Sequence, residues 1–395
     1  MTTEVVIVGG ARTPFAEYSG SKHGGLFKNK SAIELAAIAT RAAVEKSRVA
    51  PRQVGHVIIG NALQTSSDAI YGARHVGLKA GLPLEAPALT VNRLCGSGLQ
   101  SIVSAAQLIQ LGEADFVVAG GMENMSQAPY VVRGTRGGSP FGKPVAYEDL
   151  LFDSLKDPQC GLFMAQTAEK LAAKYDISRE DQDDYAWRSM RLAIEAAERG
   201  VFREEIVPVN VKSTRVMRDD HMKPDSSRDV LRKLRPAFGV EGTVTAGNAS
   251  GIVDGAAALV LTSRAKAEEN DLNILATVKG WGITGVDPAI MGIGPAPAIL
   301  LCLKRIGASL ESVDLFEINE AFAAQYLAVE RELELDRDRV NVNGGAIGLG
   351  HPLGATGTRL ALTLALEMRR RKNNLGVASA CIGGGQGIAV ALGAP

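Results

Sequence analysis

The chain has 395 residues, 46% hydrophobic and 22% charged, which suffices for a sizeable core and excludes both a small disulfide scaffold and a disordered segment. Its 43 Lys and Arg balance 43 Asp and Glu, so no net field recruits nucleic acid or an anionic membrane. The four cysteines, Cys95, Cys160, Cys302 and Cys381, form no CxxC pair, which predicts reduced thiols in the cytoplasm and no zinc site.

In chain order the pattern alternates strand and helix, the grammar of an α/β protein with buried sheets. Val5 to Val8 predicts a first strand. Ser31, with Glu34 three positions on, predicts a capping box opening a helix that reaches about Lys46. Val54 to Ile59 predicts the next strand. Leu89 to Asn92 is expected to be extended, followed by a glycine turn at Cys95-Gly96-Ser97-Gly98 and a helix from Leu99 to about Leu111 that Gly112 stops. Phe116 to Ala119 then forms a strand opening into Gly120-Gly121-Met122. The last third repeats this order. Val340 to Val342 is expected to be extended, a glycine-rich turn runs from Gly344 to Gly357, a helix from about Thr358 to Arg370, and a strand from Gly376 to Ala380 opens into three glycines. Two similar halves are therefore expected. The more charged and polar stretch between them predicts an inserted lobe: 1–121 with 250–272 form the first half, 122–249 the insertion and 273–395 the second half.

Four loops carry residues with chemistry. Cys95 lies between a strand and a helix start, where peptide dipoles favour a thiolate; the alternatives are an inert core thiol and a phosphate-binding turn. His351 sits in GLGHPLGATG, with Pro352 fixing the backbone and glycines leaving room around the ring; otherwise it is a surface-loop histidine. Cys381, in CIGGGQG, precedes glycines whose N–H groups are free to face an anion, or simply ends a core strand at a tight turn. Asn319, in EINEAFAAQ, reads either as a helix N-cap or as a site residue. Together they make an acyl-transfer set: a nucleophilic thiol, a base, a second thiol to exchange a proton, and N–H donors for an oxyanion.

VNRLCGSG, NEAFA, GHPLGATG and CIGGGQG occur in the order of the signature blocks of the thiolases, and TVTAGNASG resembles a further one. The resemblance spans nearly the whole chain. It implies a five-layered αβαβα core of two similar halves with an inserted loop domain, in a homodimer or homotetramer. The implied reaction is a ping-pong Claisen condensation of two acetyl-CoA to acetoacetyl-CoA and CoA, or its reversal, with CoA thioesters as substrates and no cofactor. By resemblance Cys95 is acylated with His351 as its base, and Cys381 deprotonates the incoming acetyl-CoA. His351 with a water on Asn319 forms one oxyanion site, and the N–H groups of Cys95 and Gly383 form the other. Ser250, Met164, Met291, Ala321, Phe322, Phe238 and Lys223 are the implied substrate and CoA contacts.

Three positions depart from the pattern. Phe163 stands where acetoacetyl-type members often carry His, Lys223 where Arg is frequent, and Val253 where Asn is frequent. The stretch from Arg203 to Arg235 holds nine basic and six acidic residues, either a modest field for a nucleotide phosphate or a solvated face. The first expectation is acetyl-CoA acetyltransferase activity. A 3-ketoacyl-CoA thiolase of broader chain length, a decarboxylating ketoacyl synthase and a catalytically silent lipid-binding relative are the alternatives.

Overall fold

The computed structural model describes residues 3–18, 25–139, 141–142, 144–238 and 241–395. Alternation along the strands divides the core. In Val5–Arg12, Val5 and Ile7 enter one apolar cluster while Val6 and Val8 enter another, as a strand buried on both faces requires. Phe116–Glu123 divides the same way, Val117 and Ala119 joining Val5 while Phe116 and Val118 join Val6. In Gln386–Gly393, Ile388, Val390 and Leu392 join the cluster of Val5, and Ala389 and Ala391 join a third.

These clusters separate five layers. Ala32–Ser47 and Gly72–Ala80 cover one outer sheet face, Ser97–Gln110 and Leu353–Arg371 fill the centre, and Pro295–Ile306 and Ala323–Leu333 cover the other outer face. This is the αβαβα core that the resemblance implies. The first half orders its strands Ala88–Val91, Val54–Gly60, Phe116–Glu123, Val253–Ser263, Val5–Arg12. The second orders Leu315–Ile318, Leu375–Ile382, Gln386–Gly393, Ala276–Gly285, with Val340 bridging Phe316 at the outer position. Ranked along the chain, both halves run third, second, fourth, fifth, first. They join where Val5, Val6 and Ile7 pair antiparallel with Val278, Thr277 and Ala276.

Ser31 caps Ala32–Ser47 with the expected box, its hydroxyl accepting from the Glu34 N–H while the Glu34 carboxylate accepts from the Ser31 N–H. Three expectations change. The segment at Val340 to Val342 shrinks to the single bridge, because Asn341 turns left-handed at φ 47° and a strand cannot continue through it. The turn at Cys95 is helical, Leu94–Gly96 running directly into Ser97–Gln110. The last long helix begins at Leu353 rather than near Thr358.

Between Glu123 and Val253 lie short strand pairs and two long helices, Met164–Lys174 and Arg179–Glu198. A buried ion network ties this region to the core: the Arg12 guanidinium pairs with Glu205 at 2.8 Å and Asp219 at 2.6 Å, and Thr363 on the central helix donates to Glu205 at 2.9 Å. Removing one member would strand a buried charge.

The two central helices meet each other backbone to backbone, and the strand Phe116–Glu123 beside them meets Leu353–Arg371 the same way. A Cβ on Gly98 would lie 2.4 Å from the Thr358 nitrogen, one on Gly357 2.3 Å from the Leu99 nitrogen, and one on Gly121 1.9 Å from the Gly354 oxygen. Only glycine fits such approaches. Gly121→Ala is expected to destabilise the fold by about 3 kcal/mol, measured by urea unfolding; an unchanged midpoint would show that the helix start is free to shift.

Candidate active site

Cys95 sits in the helical turn that precedes Ser97–Gln110, with the backbone N–H groups of Gly383 and of Cys95 itself directed at its sulfur. These contacts and the helix start favour the thiolate, but they do not prevail. Burial pushes the Cys95 thiol up to about 11, and the Glu123 carboxylate pushes it the same way. The acidic sulfur expected from the sequence is therefore a neutral thiol at rest, because desolvation outweighs two N–H contacts and one helix end.

His351 is buried on the loop before Leu353–Arg371. Its Nδ1 lies 2.6 Å from Thr356 Oγ1, whose hydroxyl donates to the Pro352 carbonyl at 3.0 Å. With that proton committed, Thr356 accepts from Nδ1–H, which leaves Nε2 as the unprotonated nitrogen. Burial, with the Arg359 guanidinium adding to it, lowers the imidazole pKa to about 3. The ring is thus a neutral base with its lone pair on the side opposite Thr356. Asn319 Nδ2 lies 3.4 Å from that Nε2.

Asn319 is no N-cap: Ala323–Leu333 is capped at Phe322. It leaves the end of Leu315–Ile318, its N–H donating to Ser379 O at 2.9 Å, and its buried Oδ1 has no partner among the described residues. Asn341 fixes this strand end, accepting from Ile318 N and donating to Ile318 O, each at 2.9 Å. Glu320 anchors the next position by accepting from Tyr185, Ser189, Asn341 and the Ile347 N–H. Cys381 lies inside Leu375–Ile382, fully buried. Burial raises its thiol well above the usual range, and the neighbouring Cys95 pushes the same way.

One cavity of about 240 Å³ opens onto this chemistry. Cys95, His351, Ser250, Met164, Met291, Ala321, Phe322 and Phe238 all line it. Cys381 lies behind its wall, packed with Met291, Ala321, Met164 and Phe322. Ser250 is held by its N–H to Ala321 O at 3.0 Å, and Gly251 O accepts the His351 N–H at 2.9 Å, so the NASG loop bridges the substrate wall and the histidine. Lys223 does not line the cavity; its ammonium is drawn to Glu17 at 2.6 Å. The sequence reading did not single out Phe152, Leu155, Thr356, Glu123 or Glu320. Phe152 and Phe163 lie 4.6 Å apart and Phe163 stacks on Phe238 at 5.1 Å; isolated aromatic residues in a polar insertion give no periodic signal. Thr356, five residues after His351, was the most accessible of these from sequence, since the first turn of a helix brings it back over the loop.

The family model Thiolase, N-terminal domain matches residues 5–265, and Thiolase, C-terminal domain matches 272–394. The chain belongs to the thiolase family. With that family it is an acyltransferase. It is 50% identical over 392 residues to the mitochondrial 3-ketoacyl-CoA thiolase of Homo sapiens, covering 98% of each chain. It is 47% identical over 397 residues to the acetyl-CoA acetyltransferase of Chromobacterium violaceum, covering 99% of this chain and 100% of the other. The crystal structure of human mitochondrial 3-ketoacyl-CoA thiolase in complex with CoA superposes with a TM-score of 0.97 at 50% identity, over 100% of this chain and 98% of that one.

The buried charges of this thiolase couple its stability to pH. Between pH 6.5 and about 3 the native His351 stays unprotonated while the unfolded chain binds a proton. The unfolded state then holds more protons, so this group's contribution falls on acidification. Glu123, raised from 4.5 to about 7, acts oppositely, since the native chain keeps a proton that the unfolded chain releases. His351→Asn is expected to lose about 2 kcal/mol less stability than the parent between pH 7 and pH 5, read from urea unfolding at both pH values. Equal losses would show that the native imidazole does protonate in this range.

Proposed function

We propose that this thiolase cleaves and forms 3-ketoacyl-CoA thioesters of short to medium chain, acetoacetyl-CoA among them, by acyl transfer through Cys95. In cleavage, His351 Nε2 takes the Cys95 proton as the sulfur attacks the 3-keto carbon. The oxygen of that carbon takes up negative charge as the new bond forms. The bond between the second and third carbons then breaks, leaving the acyl group on Cys95 and an acetyl-CoA enolate that Cys381 protonates. CoA finally attacks the acyl-Cys95, its thiol proton restoring Cys381, while the Cys95 sulfur leaves, takes back the proton held on His351 and releases the shortened acyl-CoA; condensation runs the same steps backwards. Because Cys95 and His351 are both neutral at rest, proton transfer accompanies attack instead of preceding it. The N–H groups of Cys95 and Gly383 stabilise one oxyanion, and His351 with a water on Asn319 Oδ1 the other. Burial of Cys381 is suited to a proton carrier that must not itself compete as a nucleophile.

The observation carrying the chain-length reading is the aromatic wall of Phe152, Phe163 and Phe238 on the cavity, with Phe at the position where acetoacetyl-type members often have His. An apolar wall gains about 0.8 kcal/mol per buried methylene, so each addition to the acyl chain improves binding until the space is filled. This supports the broader specificity over acetyl-CoA acetyltransferase activity alone. A higher kcat/KM on a C8 3-ketoacyl-CoA than on acetoacetyl-CoA is expected; the reverse ranking would restore the short-chain reading. Cys381→Ala is expected to leave acylation of Cys95 detectable by mass spectrometry while abolishing condensation, and unaltered condensation would remove Cys381 from the mechanism.

We also propose that a second copy of the chain pairs at the edge strand Ala88–Val91. Among the described residues no strand covers its outer side, and Leu89 on it and Leu94 just after it are exposed. Unpaired edges are templates for further strands. Light scattering should give a dimer or a multiple of it for the parent and a smaller species for Leu89→Lys; a monomeric parent would end this reading.

A further inference from the structure

Glu123 ends the strand Phe116–Glu123 and is fully buried. Among the described residues no lysine or arginine pairs with it. Its carboxylate instead gathers four N–H donors: Oε1 accepts from Asn61 Nδ2 and Leu63 N, each at 2.9 Å, and Oε2 accepts from Ala62 N at 3.1 Å and Gly354 N at 2.9 Å. Three of these donors belong to the loop after Val54–Gly60, in the half that carries Cys95. The fourth is in the first turn of Leu353–Arg371, in the half that carries His351. That helix begins at Pro352 without a side-chain cap, so Glu123 supplies from another element the acceptor that an N-cap residue would provide. The residues it holds reach the nucleophile: Cys95 packs in one apolar cluster with Ala62, Leu63 and Leu353.

We infer that Glu123 is a positioning residue for acyl transfer, a carboxylate shared between the two halves that sets the loop packed beside Cys95 against the start of the His351 helix. The inference rests on the roles given above to Cys95 and His351. Its geometry follows from what each half contributes. The Gly121 and Gly354 backbones already touch, which limits approach, while the carboxylate resists separation. Sliding the helix along its axis would remove the Gly354 N–H from Oε2 and shift His351 and Thr356 together. Asp254, a second buried carboxylate that accepts from the Ser126 N–H at 2.9 Å, acts on Glu123, and Glu123 acts on Cys95; both interactions raise the pKa of the group acted upon. Charge at Glu123 therefore makes the Cys95 thiol harder to ionise, which is opposite to what activation of the nucleophile would need, and its contribution is placement.

Two substitutions test this. Glu123→Asp keeps the charge and withdraws it by one methylene; Glu123→Gln keeps the length and turns one acceptor into a donor facing N–H groups. Each is expected to lower kcat about 100-fold with KM for acetoacetyl-CoA within about two-fold of the parent. The pH profile of Cys95 alkylation by iodoacetamide should move to lower pH in Glu123→Gln, where the charge is gone, and stay in place in Glu123→Asp. A folded variant of either kind with the parent's kcat, or a Glu123→Gln profile that does not move, overturns the inference. If Glu123→Gln fails to fold, Glu123→Asp decides by its kcat and KM, and failure of both to fold assigns Glu123 to folding and overturns positioning. A parent enzyme that forms no acyl-Cys95 with acetoacetyl-CoA overturns the assignment of Cys95 and this inference with it. Acyl-Cys95 in the parent with undiminished kcat in the variants overturns this inference alone.

Discussion

The site depends on how closely two helices lie. Ser97–Gln110 and Leu353–Arg371 come from different halves of the chain, and each begins beside a residue with chemistry, Cys95 on one and His351 on the other. Their first turns are in contact through Gly98 and Gly357, where any side chain would meet backbone atoms. Backbone-to-backbone contact is the shortest separation two helices reach, and it has almost no slack, because there is no side-chain rotamer to yield. A residue at the start of such a helix is located by the whole sheet behind it. This explains glycines in GHPLGATG that the sequence reading attributed to room around the histidine: Gly354 and Gly357 make room for the neighbouring half, and the ring itself is enclosed.

Enclosure reverses the simplest electrostatic picture. A thiol at a helix start is expected to ionise, yet burial holds Cys95 near 11 and lowers His351 to about 3. The two effects have one origin, since burial penalises either charge. Oriented N–H groups then matter most when charge moves to the substrate oxygen, and they need no reorganisation at that moment.

The duplicated α/β pattern was readable because both halves use buried strands, whose apolar runs stand out, and helices with marked caps, Ser31 and Glu34 above all. Boundaries were less accessible where glycine sits inside an element. Gly120 and Gly121 read as a loop but continue a strand through Glu123, and Gly354 and Gly357 read as a turn but lie in a helix; in each case tertiary contact overrides local preference. Cys95, His351 and Cys381 stand out in the sequence because each lies at an element end among glycines, and Asn319 because it directly follows an apolar strand. Glu123 and Glu320 were not, since an acidic residue after an apolar run looks like the polar start of a loop. Their role appears only when donors from distant segments converge on them.

The division of labour within the chain follows from the same geometry. Cys95, His351 and Cys381 come from the two halves, whose backbones meet closely at Gly98, Gly357 and Gly121. Phe152, Phe163 and Phe238, which shape the cavity wall, come from the region between Glu123 and Val253. That region is joined to the core by the Arg12 network, by the Glu320 contacts to Tyr185 and Ser189, and by the packing of Ala165, Leu171 and Tyr185 in one apolar cluster with Ile318 and Tyr326. On the acyl-transfer roles proposed above, substitutions there would alter which acyl chain fits without moving the sulfur relative to the imidazole, and substitutions along the contact of the two central helices would do the reverse, changing the rate for every acyl chain alike.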